Sequence, residues 1–198
     1  MAVQTQTLPV IESVDEVRRF TIEEYHKIYE TGIFEGQRVE LLNGMITVMF
    51  PMNNPHLGMV GRLTRILNIR FANEYFILPQ CPLKIPQNSE PEPDILIAKQ
   101  RDDDYMNSAM PPEDVFLIIE IADSSLERDR NQKKVIYANA NIREYWIVNL
   151  KDRQIETFKQ PQNADYQIKN ILKAGETATC EHIDFQLSVD ELFKNLKP

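Results

Sequence analysis

Residues 115–122 read Val-Phe-Leu-Ile-Ile-Glu-Ile-Ala. Unbroken apolar character over a strand's length implies burial on both faces, so this segment is expected to be a central strand. Glu120 lies inside the apolar pattern, not beyond its end. A buried carboxylate is costly unless a cation or a hydrogen-bonded partner meets it. The same reasoning applies upstream, where Asp94 heads the strand-like run Asp-Ile-Leu-Ile-Ala after Pro93. If the two strands are antiparallel neighbours, the carboxylates meet. If they are parallel, the two lie about 17 Å apart at the usual rise per residue. Converging oxygen ligands suit Mg²⁺, which takes one or two carboxylates and keeps water or phosphate oxygens in the rest of its shell. An Asp at a strand entrance and a Glu paired to an Arg would be the purely structural explanation.

Downstream, a helix is expected over roughly 127–140. Lys133, Ile136, Tyr137 and Ala140 follow i, i+3, i+4, i+7 and share one face. Lys133 therefore starts the core-facing stripe, one connection from Glu120, and can turn its ammonium towards the carboxylates. Snorkelling to water is the alternative. Lys134 is about 100° away around the helix and points elsewhere.

The remaining chain supplies a frame. Residues 1–20 read as an irregular lead-in. Thr21-Ile-Glu-Glu24 is a capping box opening a helix that ends near Gly32. Asn43-Gly44 divides residues 38–49 into a hairpin. Asn54 as N-cap and Pro55 open a second helix with Val60, Leu63, Leu67 and Phe71 as its buried stripe. Strands are expected at 75–78, 94–98, 115–122 and 144–148. A hairpin is expected at 153–159 and 165–172, turning through Pro161-Gln-Asn-Ala-Asp165. Residues 99–113 form a polar loop. Ser188-Val-Asp-Glu191 is a second capping box before a short C-terminal helix. The class is α+β, or mixed α/β, with a mixed sheet.

Composition excludes several functions. The 198 residues carry 22 Lys and Arg against 30 Asp and Glu, a net charge of −8. That argues against coating nucleic acid through bulk positive charge, though not against a local basic cleft beside carboxylates. A chain of this length buries about 70% of its unfolded surface and needs no disulfide or structural zinc. Cys81 and Cys180 form no CxxC, and a reducing cytoplasmic setting is expected. The N-terminus lacks the basic and apolar regions of a signal peptide. Val115 to Ile119, the longest apolar run, is too short to span a bilayer. Phosphate-cradling glycine loops, GxSxG and HExxH are absent, and His26, His56 and His182 are scattered. Carboxylates and lysines remain as the catalytic vocabulary.

An ordered set of short motifs narrows this further. It comprises Arg38-Val39-Glu40 with Gly44, Asn54-Pro55-His56, Pro93-Asp94 and Ile119-Glu120-Ile121. Asp129 with Lys133 and Tyr137, and then Glu144-Tyr145-Trp146, complete it. From about residue 20 to 195 the chain resembles the PD-(D/E)XK nuclease superfamily, most closely its Uma-two (Uma2) branch. The resemblance implies a single domain over 21–195: a restriction endonuclease-like core whose central mixed sheet is flanked by helices, with N-terminal and C-terminal hairpin and helix additions. It implies an endonuclease that hydrolyses DNA phosphodiester bonds with Mg²⁺ or Mn²⁺. Asp94, Glu120 and the Ile121 carbonyl would hold the metal, and Lys133 would offset transition-state charge. Glu40 would assist a water; it reads equally as a surface charge on the hairpin. His56 is either a phosphate contact at a helix N-terminus or a rim residue. Gln132 and Tyr137 are candidates to contact DNA or hold Lys133, with core packing the other reading of Tyr137. Arg62 with Arg65, and Arg128, Arg130, Lys133 and Lys134, are two small basic clusters. A homodimer would suit cleavage of both strands.

One departure matters. The superfamily's lysine normally stands two residues after the glutamate, where this chain has Ala122. Lys133 would have to replace it from the helix. The departure keeps two other readings open: an inactive nuclease fold used for binding or regulation, and a hydrolase of a small phosphorylated molecule.

Overall fold

The computed structural model describes residues 17–71 and 73–196. Most of the lead-in expected over residues 1–20 therefore lies outside the described residues. Helix α1 (Ile22–Glu30) opens with the expected reciprocal box: Thr21 accepts from the Glu24 amide, and Glu24 accepts from the Thr21 amide. Strands β1 (Val39–Leu42) and β2 (Met45–Val48) form the antiparallel hairpin. Asn43 and Gly44 both have positive φ, as a tight hairpin turn requires. A Cβ at Gly44 would also collide with Arg19, so only glycine fits there.

Helix α2 (Asn54–Phe71) buries Met59, Val60, Leu63, Leu67 and Phe71. Its start departs from expectation by one residue. The Asn53 side chain accepts from the His56 amide at 3.0 Å, so Asn53 is the cap and Asn54 begins the helix.

Six strands make the main sheet: β3 (Tyr75–Pro79), β4 (Ile95–Lys99), β5 (Val115–Ala122), β6 (Glu144–Asn149), β7 (Gln154–Gln162) and β8 (Asp165–Leu172), in that spatial order. Every pairing is antiparallel except β5 with β6. The connection between that parallel pair runs through α3 (Leu126–Arg128), a π turn (Asp129–Lys133) and α4 (Lys134–Asn139). The sheet is mixed and flanked by helices, as expected. β7 extends to Gln162, so the hairpin turns at Asn163-Ala164 rather than across 161–165; both turn residues have positive φ. An unanticipated hairpin, β9 (Thr177–Thr179) with β10 (Gln186–Ser188), precedes α5 (Val189–Phe193), whose cap is Ser188.

The period-two rule sorts β5 between two cores. Leu117, Ile119 and Ile121 pack with α2, α5 and the β9–β10 hairpin, where Trp146 stacks on Phe185. Ile118 and Ala122 face the other way, against Ile136, Tyr137 and Ala138 of α4. Glu120 belongs by parity to this second face and is directed at the helix carrying Lys133. The inward stripe of that helix differs slightly from expectation. Ala138 is buried and Ala140 only half-buried, because α4 ends at Asn139 and Ala140 is its C-cap, outside helical geometry. Among the described residues no helix is long and apolar enough to cross a membrane.

Candidate active site

The β4–β5 register pairs Ile95 with Ile119, which sets Asp94 opposite Glu120 at the open end of the two strands. The antiparallel alternative is therefore the one the chain adopts. The Ile121 amide donates to Asp94 Oδ2 at 2.8 Å. A strand residue's N–H and C=O point to the same side, so the Ile121 carbonyl is directed to the Asp94 edge as well.

Lys133 is buried and its ammonium stands between two carboxylates. Nζ is 3.0 Å from Glu120 Oε1 and 3.1 Å from Glu40 Oε2. Glu40 is not a surface charge. It is 2% exposed, accepts from the Glu92 amide at 3.2 Å, and lies 3.8 Å from Arg128. Its position follows from a backbone bridge between Leu41 and Glu90, which docks the hairpin onto the segment leading to Asp94. The Tyr137 hydroxyl donates to Glu120 Oε1 at 2.8 Å. Tyr137 is fully buried and cannot touch a macromolecule; it fixes Glu120 instead.

His56 lines the pocket beside Asp94. Its Nε2 lies 3.0 Å from Asp94 Oδ2, while Nδ1 is buried with no protein partner among the described residues. Gln132 is exposed and lines a neighbouring groove rather than the pocket. The basic clusters are largely engaged elsewhere. Arg62 donates to the Leu192 and Lys194 carbonyls, holding the C-terminal segment. Arg130 pairs with Glu156, and Lys134 with Asp165 at 2.6 Å.

The sequence pattern assigns Asp129 no role of its own, although it stands four residues before Lys133. It is buried in the pocket, where the Ser125 hydroxyl donates to its Oδ2 at 2.7 Å. The spacing Ser125-x₃-Asp129-x₃-Lys133-x₃-Tyr137 is the signal that could have found it. The π turn, held in part by the Tyr145 hydroxyl donating to the Asp129 carbonyl at 3.2 Å, leaves no trace in the pattern.

The electrostatics follow from the count of charges. Four buried carboxylates, Glu40, Asp94, Glu120 and Asp129, face two cations, Lys133 and Arg128. Burial raises Glu120 well above the usual carboxylate range. Lys133 pulls it down, but Asp129, Asp94 and Glu40 push it up again. Asp129 is raised to about 6, first by burial and further by Asp94 and Glu40, against the pull of Lys133 and Ser125. Burial alone would lower Lys133. Glu120, Glu40 and Asp129 override it and keep the ammonium charged.

Among the described residues no three His, Cys, Asp or Glu side chains already converge on one point as a metal site. The lysine ammonium is inserted between Glu40 and Glu120. The donor set nonetheless suits a divalent cation: hard carboxylate oxygens, a backbone carbonyl, and negative charge exceeding the local positive charge by two. The pocket containing the four carboxylates and Lys133 is also lined by Arg38, Asn53, Asp123 and Ser125, and by Met49 to Met52.

A family model named Uma2 and described as "Putative restriction endonuclease" matches residues 22–190. Among solved structures, the chain is similar to a "putative nuclease belonging to DUF820" from Anabaena variabilis ATCC 29413. The TM-score is 0.67 at 13% identity, over 88% of this chain and 97% of that one. At that identity the likeness is one of fold. No curated protein matches the sequence.

Proposed function

The chain belongs to the Uma2 family of restriction endonuclease-like proteins, and from that premise we propose that it is a metal-dependent DNA endonuclease centred on Asp94, Glu120 and Lys133. The observation that carries the reading is the buried surplus of carboxylate around one lysine at the end of two antiparallel strands. A structural ion pair would balance its formal charges; this cluster, counted with every acid ionised, is two positive charges short.

Asp94, Glu120 and the Ile121 carbonyl would hold a divalent cation. When bound, Mg²⁺ or Mn²⁺ polarises a phosphodiester oxygen and makes water a stronger acid. The chain's own residues do the rest. Tyr137 and Lys133 each donate to Glu120 Oε1, which fixes the orientation of that carboxylate. The Ile121 amide and His56 fix Asp94 in the same way. Glu40 holds the Lys133 ammonium inside the pocket, where it can offset charge developing on the phosphoryl oxygens. A preorganised cation in a water-poor site is worth more than in bulk solvent. The helix lysine thus takes the place of the strand lysine missing at Ala122.

Incubating the protein with supercoiled plasmid and with a circular single strand, in Mg²⁺, Mn²⁺ or EDTA, tests the proposal. Metal-dependent cleavage of either substrate, absent in Glu120→Gln, is expected. Metal binding with no cleavage of either would favour a binding module instead.

A further inference from the structure

Beside the pocket lies a second depression, and the two share Met49, Phe50, Pro51 and Arg128 along a common rim. Strand β2, Met45 to Val48, runs along one side of it; Glu127, Asn131 and Gln132 close the far side. Phe50 stands at the junction, 53% exposed as a residue, and the Arg128 guanidinium lies over its ring at 5.0 Å from the centre. Arg128 is held in place, since it donates to the Val48 carbonyl at 3.2 Å and faces Glu40.

We propose that this groove seats an unpaired nucleobase beside the scissile phosphate, stacked on Phe50, so that the enzyme acts on single-stranded DNA in preference to duplex. The inference rests on the nuclease reading above and specifies its substrate. Three features carry it. First, an exposed aromatic ring paired with a guanidinium plane is a stacking platform, and stacking on it accepts any base. Second, the groove is unsuited to a phosphate backbone: among the described residues Arg128 is its one cation, and Glu127 opposes it. Base edges find Asn131 and Gln132 there instead. Third, a duplex is gripped by many phosphate contacts on two strands, and the described surface around the pocket supplies few. Arg38 is engaged by Glu92, Arg62 by backbone carbonyls, Arg130 by Glu156 and Lys134 by Asp165. A DNA contact through Gln132, one of its two candidate roles, fits this groove and not the pocket.

The test is fluorescence anisotropy of the full chain with Ca²⁺ present. Three labelled probes of about 20 nucleotides, longer than the stretch one binding groove covers, are compared: a single strand, the matching duplex and an abasic single strand. The single strand should bind at least about 10-fold tighter than the duplex. Phe50→Ala should weaken single-strand binding about 5–150-fold, the range expected for one lost stacked base, and duplex binding less than about 2-fold. Phe50→Trp should restore it, and the abasic strand should lose as much as Phe50→Ala does. Phe50 is exposed, so these variants should fold, which circular dichroism would verify. Equal affinity for duplex and single strand, or equal loss on both probes in Phe50→Ala, would overturn the groove assignment even if plasmid cleavage persists. Base-dependent single-strand binding without metal-dependent cleavage would uphold the groove while removing the endonuclease reading. Binding to none of the probes would overturn both.

Discussion

Glu120 and Glu156 are both buried acids on the main sheet, two strands apart, and they sit in opposite electrostatic surroundings. Burial would raise Glu156 as it raises Glu120. Hydrogen bonds from Arg130 and Gln154, with Lys169 nearby, instead hold Glu156 below the usual carboxylate range. Glu144 is likewise saturated, accepting from the Trp146 indole, the Cys180 thiol and the Glu181 amide. Around Glu156 donors outnumber acids; around Glu120 acids outnumber cations. Burial alone does not distinguish a structural carboxylate from a functional one. The balance of charge in the surrounding cluster does.

The largest expected contrast is in catalysis. Glu120→Gln should lower metal-dependent cleavage by roughly 10³-fold or more, the scale of losing metal-assisted polarisation. The protein should stay folded, and more stable without metal, because one member of a repelling group is neutralised. Glu156→Gln should do the reverse. Turnover per folded molecule should be unchanged, while about 2 kcal/mol of stability is lost with a charge-assisted hydrogen bond. Paired cleavage assays and thermal melts read both. Equal loss of folding and activity in Glu120→Gln would make Glu120 structural too.

Lys133 sharpens the contrast from the cation side. Lys133→Met should reduce turnover about 10²–10³-fold, the size of one preorganised electrostatic contact. It should also destabilise the metal-free protein by about 3–5 kcal/mol, since Glu40 and Glu120 lose their shared partner. Added Mn²⁺ should recover part of that loss. Lys134→Met should change stability by less than about 1 kcal/mol, as expected for a pair with exposed Asp165, and leave turnover intact.

A smaller effect lies in the pH dependence. Asp129 is raised to about 6 in the folded chain, so the unfolded chain releases this proton first as pH rises. Its favourable contribution is complete below the ordinary aspartate pKa and disappears as pH rises through about 6. Asp129→Asn should therefore gain stability over wild type at about pH 7, and the gain should shrink towards about pH 4. Melting curves for the two proteins across that window would show it; a gain that grows towards acid pH would reverse the sign and refute the crowding of acids. Glu156 has the opposite dependence, with stability lost as pH falls.

Much of this contrast was legible in the sequence. Glu120 stood out because it interrupts an unbroken apolar strand, and Asp94 because it heads another. Lys133 stood out because it shares a helical face with Ile136 and Tyr137. Other parts were not legible. Glu40 lies on a separate two-stranded hairpin, and its entry into the pocket depends on that hairpin docking along residues 88–92, through Leu41 with Glu90 and Gly44 with Asn88. Asp129 occupies a π turn, whose register no apolar period reveals. Arg62 and Arg130 read only as members of small basic clusters, because a sequence shows charges without showing which carbonyls or acids already hold them. The short strands β9 and β10 give alternation too few positions to be read.

Calorimetric titration of Mn²⁺ into the wild-type protein, Glu120→Gln and Glu156→Gln addresses the central claim most directly. Surplus acid at Glu120 and surplus donor at Glu156 predict a saturable binding step in wild type that survives in Glu156→Gln and is lost in Glu120→Gln. Binding that persists in Glu120→Gln, or that is absent from the wild-type protein at millimolar metal, would contradict the assignment of this cluster as a metal-dependent catalytic centre.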